Sequence, residues 1–135
     1  MSQFNWPLRV YYEDTDSGGV VYHSNYLNFM ERARTEWLRA LGFEQTSLKS
    51  DLGIMFVVHS ISIAYKSPAC FNDLLEIRTH FLKMGHGSIE FIQKIYRDDQ
   101  LLIEANVKLA CVDTAIFKPV GIPKVIKQAI KPMEQ

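Results

Sequence analysis

The sequence predicts an α+β chain in which one long helix lies against a roughly five-stranded antiparallel sheet. Three observations predict it. Asn25 to Leu41 carries apolar residues at helical spacing, later runs alternate apolar and polar residues with a period of two, and short turns join those runs.

The elements follow in order. Leu8, Val10 and Tyr12 alternate with Arg9, Tyr11 and Glu13, which suits a short first strand that the cluster Asp14 to Gly19 then breaks. In the helix, Tyr26, Phe29, Met30, Ala33, Trp37, Leu38 and Leu41 form a wide apolar face, with Glu31, Arg32, Glu36 and Arg39 between them. Ser24 or Asn25 is placed to cap its first turn, and Gly42 to end it in the left-handed region. His59, Ile61, Ile63 and Tyr65 mark a strand that reaches the Ser67-Pro68 break. Leu75, Ile77, Thr79 and Phe81 mark the next, and Gly85-His86-Gly87 offers the turn after it. Ile89, Phe91 and Ile95 mark another, Asp98-Asp99 a turn, and Ile103 to Cys111 a long final strand. The tail after Pro119 is either a loose extension or a short docked helix.

A chain of 135 residues is expected to form one domain over 1–135, since halves would be too small to bury separate cores. Fifteen basic residues offset fifteen acidic ones, so no overall positive field recruits nucleic acid. The first ten residues hold no apolar leader core and no run reaches membrane-spanning length, so the expected location is the cytoplasm. Cys70 and Cys111 fit no zinc or redox spacing and are expected to be reduced and buried. His59, His80 and His86 have no carboxylate or cysteine at ligand spacing, so no metal is expected.

The chemistry concentrates between Tyr11 and Tyr26, where two aspartates, two glycines and His23 separate a strand from a helix. Glycines there permit close approach of a ligand to the backbone, and a helix N-terminus favours developing negative charge. Taken singly, Asp14 and Asp16 also suit a plain turn, and His23 a cap.

Together they say more. Asp14-Thr15-Asp16-Ser17-Gly18-Gly19 resembles the D-x-D-x-x-G turn of hot-dog proteins of the 4-hydroxybenzoyl-CoA thioesterase type. Val20-Val21-Tyr22-His23, Tyr26 and Glu31-Arg32-Ala33-Arg34 are similar, more narrowly, to the YbgC subgroup associated with the bacterial Tol-Pal envelope system. Phe56-Val57-Val58, Tyr65 to Ala69, Asp73 to Ile77, Cys111-Val112-Asp113, Lys118-Pro119 and Pro123-Lys124 extend the likeness in the same order over nearly the whole chain.

The resemblance implies a helix wrapped by an antiparallel sheet and an acyl-CoA thioester hydrolase releasing a carboxylic acid and free CoA. Carried over by position, Asp16 is the catalytic carboxylate, acting as nucleophile or as general base on water. His23 either polarises the carbonyl or positions water, with a packing or capping role equally open, and the backbone at Tyr22-His23 is the candidate oxyanion donor. Gly19, Tyr22 and Tyr26 are candidate substrate contacts, although Tyr26 also fits the helix core, and Asp14 is expected to shape the turn. No cofactor is implied, CoA being part of the substrate. Acyl carrier protein is a further candidate partner, and Lys or Arg is expected to hold the CoA phosphates. The family pattern also implies a homodimer formed edge to edge, a dimer of dimers beyond it, and sites between subunits. Broad acyl tolerance is expected, since a pocket discriminates only about 1–3 kcal/mol per methylene.

Two other readings compete. A hot-dog dehydratase or hydratase would need a His-carboxylate pair, and the sequence shows no likeness to those motifs. A non-catalytic module binding acyl groups or acyl carrier protein, in envelope or phospholipid metabolism, would not need the intact Asp16.

Overall fold

A computed structural model describes residues 3–133. Strand β1 (Gln3–Arg9) is followed by a single 3₁₀ turn, Tyr12–Asp14, and then by helix α1 (Asn25–Ala40). A one-turn helix α2 (Gln45–Ser47) runs into a wider turn, Leu48–Leu52. Strands β2 (Ile54–Tyr65), β3 (Leu74–Met84), β4 (Ser88–Arg97) and β5 (Gln100–Asp113) follow, and helix α3 (Lys124–Ile130) lies near the end. The fold is α+β, with one antiparallel sheet in the order β1-β3-β4-β5-β2.

The period-two pattern explains the layers. Leu75, Ile77, Thr79 and Phe81 of β3, Ile89, Phe91, Gln93 and Ile95 of β4, and Ile103, Ala105, Val107, Leu109 and Cys111 of β5 are buried on one face. The apolar stripe of α1 covers that face with Tyr26, Phe29, Met30, Ala33, Trp37 and Leu38 in the same core. Register shifts at Val58/Ser60, Phe81/Lys83 and Ile95/Tyr96 interrupt the ladders, and such bulges bend a sheet towards what it covers.

Gly42 ends α1 as the sequence predicts. Its φ is +98°, its N–H donates to the Arg39 carbonyl and the Phe43 N–H to the Leu38 carbonyl, the paired bonds of a Schellman cap. The start of α1 differs from expectation: Ser24 makes no side-chain cap, and Asn25 instead donates from Nδ2 to Asp14 Oδ1 at 2.6 Å. Helix α1 is therefore fixed at its N-terminus to the preceding loop.

Three boundaries also move. β1 begins at Gln3 and ends at Arg9, so it takes in Pro7, and Tyr12 belongs to the 3₁₀ turn. Pro7 has no N–H, and it sits opposite Glu76 on an edge strand, the place in a sheet where proline is tolerated. β2 begins at Ile54, so Phe56-Val57-Val58 lie inside it and not before it. The tail docks: Ile122, Ile126 and Ile130 join the core. Among the two thiols, Cys111 is buried as expected, whereas Cys70 is exposed because it lies on the connection between β2 and β3.

Candidate active site

The loop between β1 and α1 is built around two aspartates with opposite surroundings. Asp14 is buried, 5% exposed, and its Oδ2 accepts the Tyr11 N–H at 2.9 Å while its carbonyl accepts the Tyr22 N–H at 3.0 Å. With Asn25 on Oδ1, every polar edge of Asp14 holds loop or helix, which is the shaping role expected of it.

Asp16 is exposed and faces outward from a tight turn. Its N–H donates to the Val20 carbonyl at 2.9 Å, and its own carbonyl accepts the Gly19 N–H at 3.1 Å. Gly19 takes φ +81°, which a side chain would resist. One carboxylate oxygen, Oδ1, accepts the Gly18 N–H at 2.8 Å, and a Cβ on Gly18 would stand 3.2 Å from that oxygen. The other oxygen, Oδ2, has no donor among the described residues. The carboxylate is thus held at one atom and open at the other.

The far wall comes from the connection after β2. Val20 bridges to Cys70, the Val21 N–H donates to the Ala69 carbonyl at 2.8 Å, and the Phe71 N–H to the Gly19 carbonyl at 3.3 Å. Arg97 braces this segment from β4, with Nη1 2.7 Å from Asp73 Oδ2 and Nη2 donating to Gln100, whose Nε2 donates to Ser67.

Between loop, helix and connection lies a cleft of about 270 Å³, lined by Val21, His23, Tyr26, Tyr65, Lys66, Ser67 and Pro68. The structure therefore brings His23 and Tyr26 into one cavity. Asp16, Gly19 and Tyr22 stand on the adjoining loop and do not line it. Tyr22 is half exposed, its ring 4.5 Å from that of His23. The Tyr65 hydroxyl donates to the His23 carbonyl at 3.1 Å, and the Tyr65 ring meets that of Tyr26 edge-on at 5.8 Å.

Tyr26 is both of the things its spacing allowed, a core residue and a cleft wall. Its hydroxyl accepts the Ala69 N–H at 2.9 Å. Burial pushes that hydroxyl above the ordinary tyrosine range, with the Ala69 N–H drawing it back.

Of the two backbone donors proposed for an oxyanion, the Tyr22 N–H is already committed to Asp14. The His23 N–H has no acceptor among the described residues and belongs to a residue that lines the cleft. Tyr65 to Pro68 were not among the expected site residues, because sheet topology and not chain proximity brings them to His23. Chemically, an ionisable oxygen, an uncommitted N–H at a helix start and an aromatic-walled cleft suit addition to a carbonyl.

Residues 10–130 match the family model described as the thioesterase-like superfamily. The chain is 48% identical over 126 residues to the acyl-CoA thioesterase YbgC of Haemophilus influenzae, 93% of each sequence. It is 46% identical over 129 residues to the acyl-CoA thioester hydrolase YbgC of Escherichia coli, covering 95% of this chain and 96% of that one. A probable thioesterase from Bartonella henselae shares 35% identity at a TM-score of 0.86, covering 90% of this chain and 99% of that chain.

Proposed function

The chain belongs to the thioesterase-like superfamily, and from that premise we propose that it is an acyl-CoA thioesterase whose reacting carboxylate is Asp16. The observation that carries the role of Asp16 is its asymmetry: Gly18 holds Oδ1, while Oδ2 is exposed and without a donor among the described residues.

Two reaction courses use that oxygen. As general base, Oδ2 takes a proton from water, the hydroxide adds to the carbonyl carbon, and collapse breaks the C–S bond and expels CoA thiolate. As nucleophile, Oδ2 itself adds, the thiolate leaves from a mixed anhydride, and water cleaves that in a second step. In both, the carbonyl oxygen gains charge that the uncommitted His23 N–H would receive. Neither course needs a cofactor or metal. Gly19 and Tyr22 shape the approach on the loop side, and His23 and Tyr26 face the acyl end in the cleft.

The proposed assembly uses an edge of the sheet. β2 is a twelve-residue edge strand, and pairing it with a second copy would continue the sheet and set the two sites beside the seam. A dimer of dimers is the further state this reading expects. We place the enzyme in the cytoplasm, with acyl-CoA as substrate and acyl carrier protein as a second acyl donor; among the described residues no helix is long and apolar enough to cross a membrane.

The test is release of free thiol from short, long and aromatic acyl-CoAs by wild-type protein and by Asp16→Asn at matched folding. We expect turnover on several donors and a loss of at least about 10³-fold in the variant, comparable with losing other essential catalytic groups. Absence of turnover on every donor, together with tight carrier-protein binding, would replace the enzyme by a binding module. Single turnover in ¹⁸O water separates the courses, since only the nucleophilic one leaves label in Asp16.

A further inference from the structure

The Tyr26 hydroxyl has used one of its two hydrogen-bonding roles. The side chain is 2% exposed, its Oη accepts the Ala69 N–H at 2.9 Å, and among the described residues its own O–H donates to nothing. A phenol can donate as well as accept, so this proton is free for an acceptor that arrives with a ligand.

The neighbourhood indicates which. His23, in the turn just before α1, and Tyr26, in its first turn, line the same cleft. Each holds an uncommitted donor, the N–H of His23 and the O–H of Tyr26. Two such donors around one cleft are the requirement for binding a single oxygen that becomes negative. The Ala69 contact sharpens the second donor, because an oxygen that accepts a hydrogen bond has a more polarised O–H.

We propose that the Tyr26 hydroxyl is a catalytic hydrogen-bond donor, paired with the His23 N–H on the thioester carbonyl oxygen. The assignment rests on the thioesterase reading. In the addition step the carbonyl π pair moves onto oxygen, where both donors meet it, and neither donor gives up its proton. When the C–S bond breaks, the pair returns to carbon and the sulfur leaves with its own bonding pair.

The experiment compares wild-type, Tyr26→Phe and protein carrying 3,5-difluorotyrosine at position 26, on a short-chain and an aromatic acyl-CoA. The phenylalanine is expected to lower kcat about 10²-fold, the scale of a lost oxyanion donor, with KM little changed. Difluorotyrosine keeps the shape, and below its own pKa it is a better donor and a poorer acceptor. It is expected to retain kcat at mildly acidic pH and to draw the alkaline limb of kcat to lower pH, since a phenolate has no proton to give.

Tyr65, His23 and Lys66 on the cleft side and Cys70 and Arg97 behind also carry charge or titrate near Tyr26, but fluorination at 26 leaves them unaltered, so a moved limb belongs to Tyr26. A folded Tyr26→Phe with wild-type kcat, or a fluorinated protein with an unmoved limb, would overturn the proposal while leaving the thioesterase standing. If the phenylalanine variant does not fold, the fluorinated protein decides alone. A wild-type protein without turnover removes the premise and the proposal with it.

Discussion

At the residue scale, the loop's more tightly built-in carboxylate is Asp14, not the proposed reacting group Asp16. Asp14 receives the Tyr11 N–H, the Asn25 amide and, on its carbonyl, the Tyr22 N–H, so it ties the loop to the first turn of α1. Asp14→Ala leaves the part-buried Tyr11 N–H and Asn25 amide without their acceptor, and the expected loss is about 1–3 kcal/mol in all, read from urea unfolding. The same variant should lower kcat more than it raises KM, because Asp16 and the His23 N–H would lose their fixed separation. An Asp14→Ala protein with unchanged midpoint would show that the loop is held by other contacts. In the sequence, the role given to Asp16 came from the family resemblance alone. That Asp16, His23 and Tyr26 stand on one loop and helix start was legible there, because they fall within one short segment whose turn and helix signals are local. Tyr65 and Lys66 were not, since nothing local marks the end of β2 as a neighbour of His23. The uncommitted proton of Tyr26 was invisible for the same reason: it emerges only when the Ala69 N–H, from a distant connection, takes the lone pair.

At the element scale, the centre of the helix–sheet interface holds charge. Arg34 of α1 is 7% exposed, and its Nη1 donates to Gln93 Oε1 of β4 at 2.9 Å. The Gln93 amide donates in turn to the Met30 carbonyl at 3.0 Å and to Thr79 of β3 at 2.9 Å. Burial pulls the Arg34 guanidinium below its ordinary range, the mark of a cation held where charge is unfavourable. Gln93→Leu should therefore destabilise by about 3–5 kcal/mol, and adding Arg34→Met should recover most of that loss. Equal, additive losses in the double-mutant cycle would show that the two side chains act independently. Helix α1 and strands β3 to β5 were legible because their apolar periods are long and unbroken. β1 was placed too late, as Pro7 reads like a break until the strand is known to be an edge. β2 was started too late, as the bulge at Val58/Ser60 puts its two halves out of phase. Seven residues were too few to decide α3, whose helical form depends on Ile126 and Ile130 finding the core.

At the scale of the whole molecule, the two edges of the sheet are unequal. β2 offers twelve residues of backbone with Val58 48% exposed near its middle, and the dimer proposed above uses that edge. Val58→Lys sets like charges against each other across a two-fold axis, and light scattering should then report the mass of one chain with activity reduced. A dimer that survives the substitution would place the seam elsewhere. β1 is shorter and carries Pro7, where an incoming strand would find no donor. In the language of polymerisation, a sheet with two receptive edges is a bifunctional monomer, and each addition leaves a fresh end on which the next can grow. With Pro7 on one side, the proposed assembly makes this chain monofunctional towards strand addition. On the proposed dimer, growth by strand addition would stop once that one receptive edge is consumed, leaving a closed pair of sheets and not a fibre, however concentrated the protein becomes.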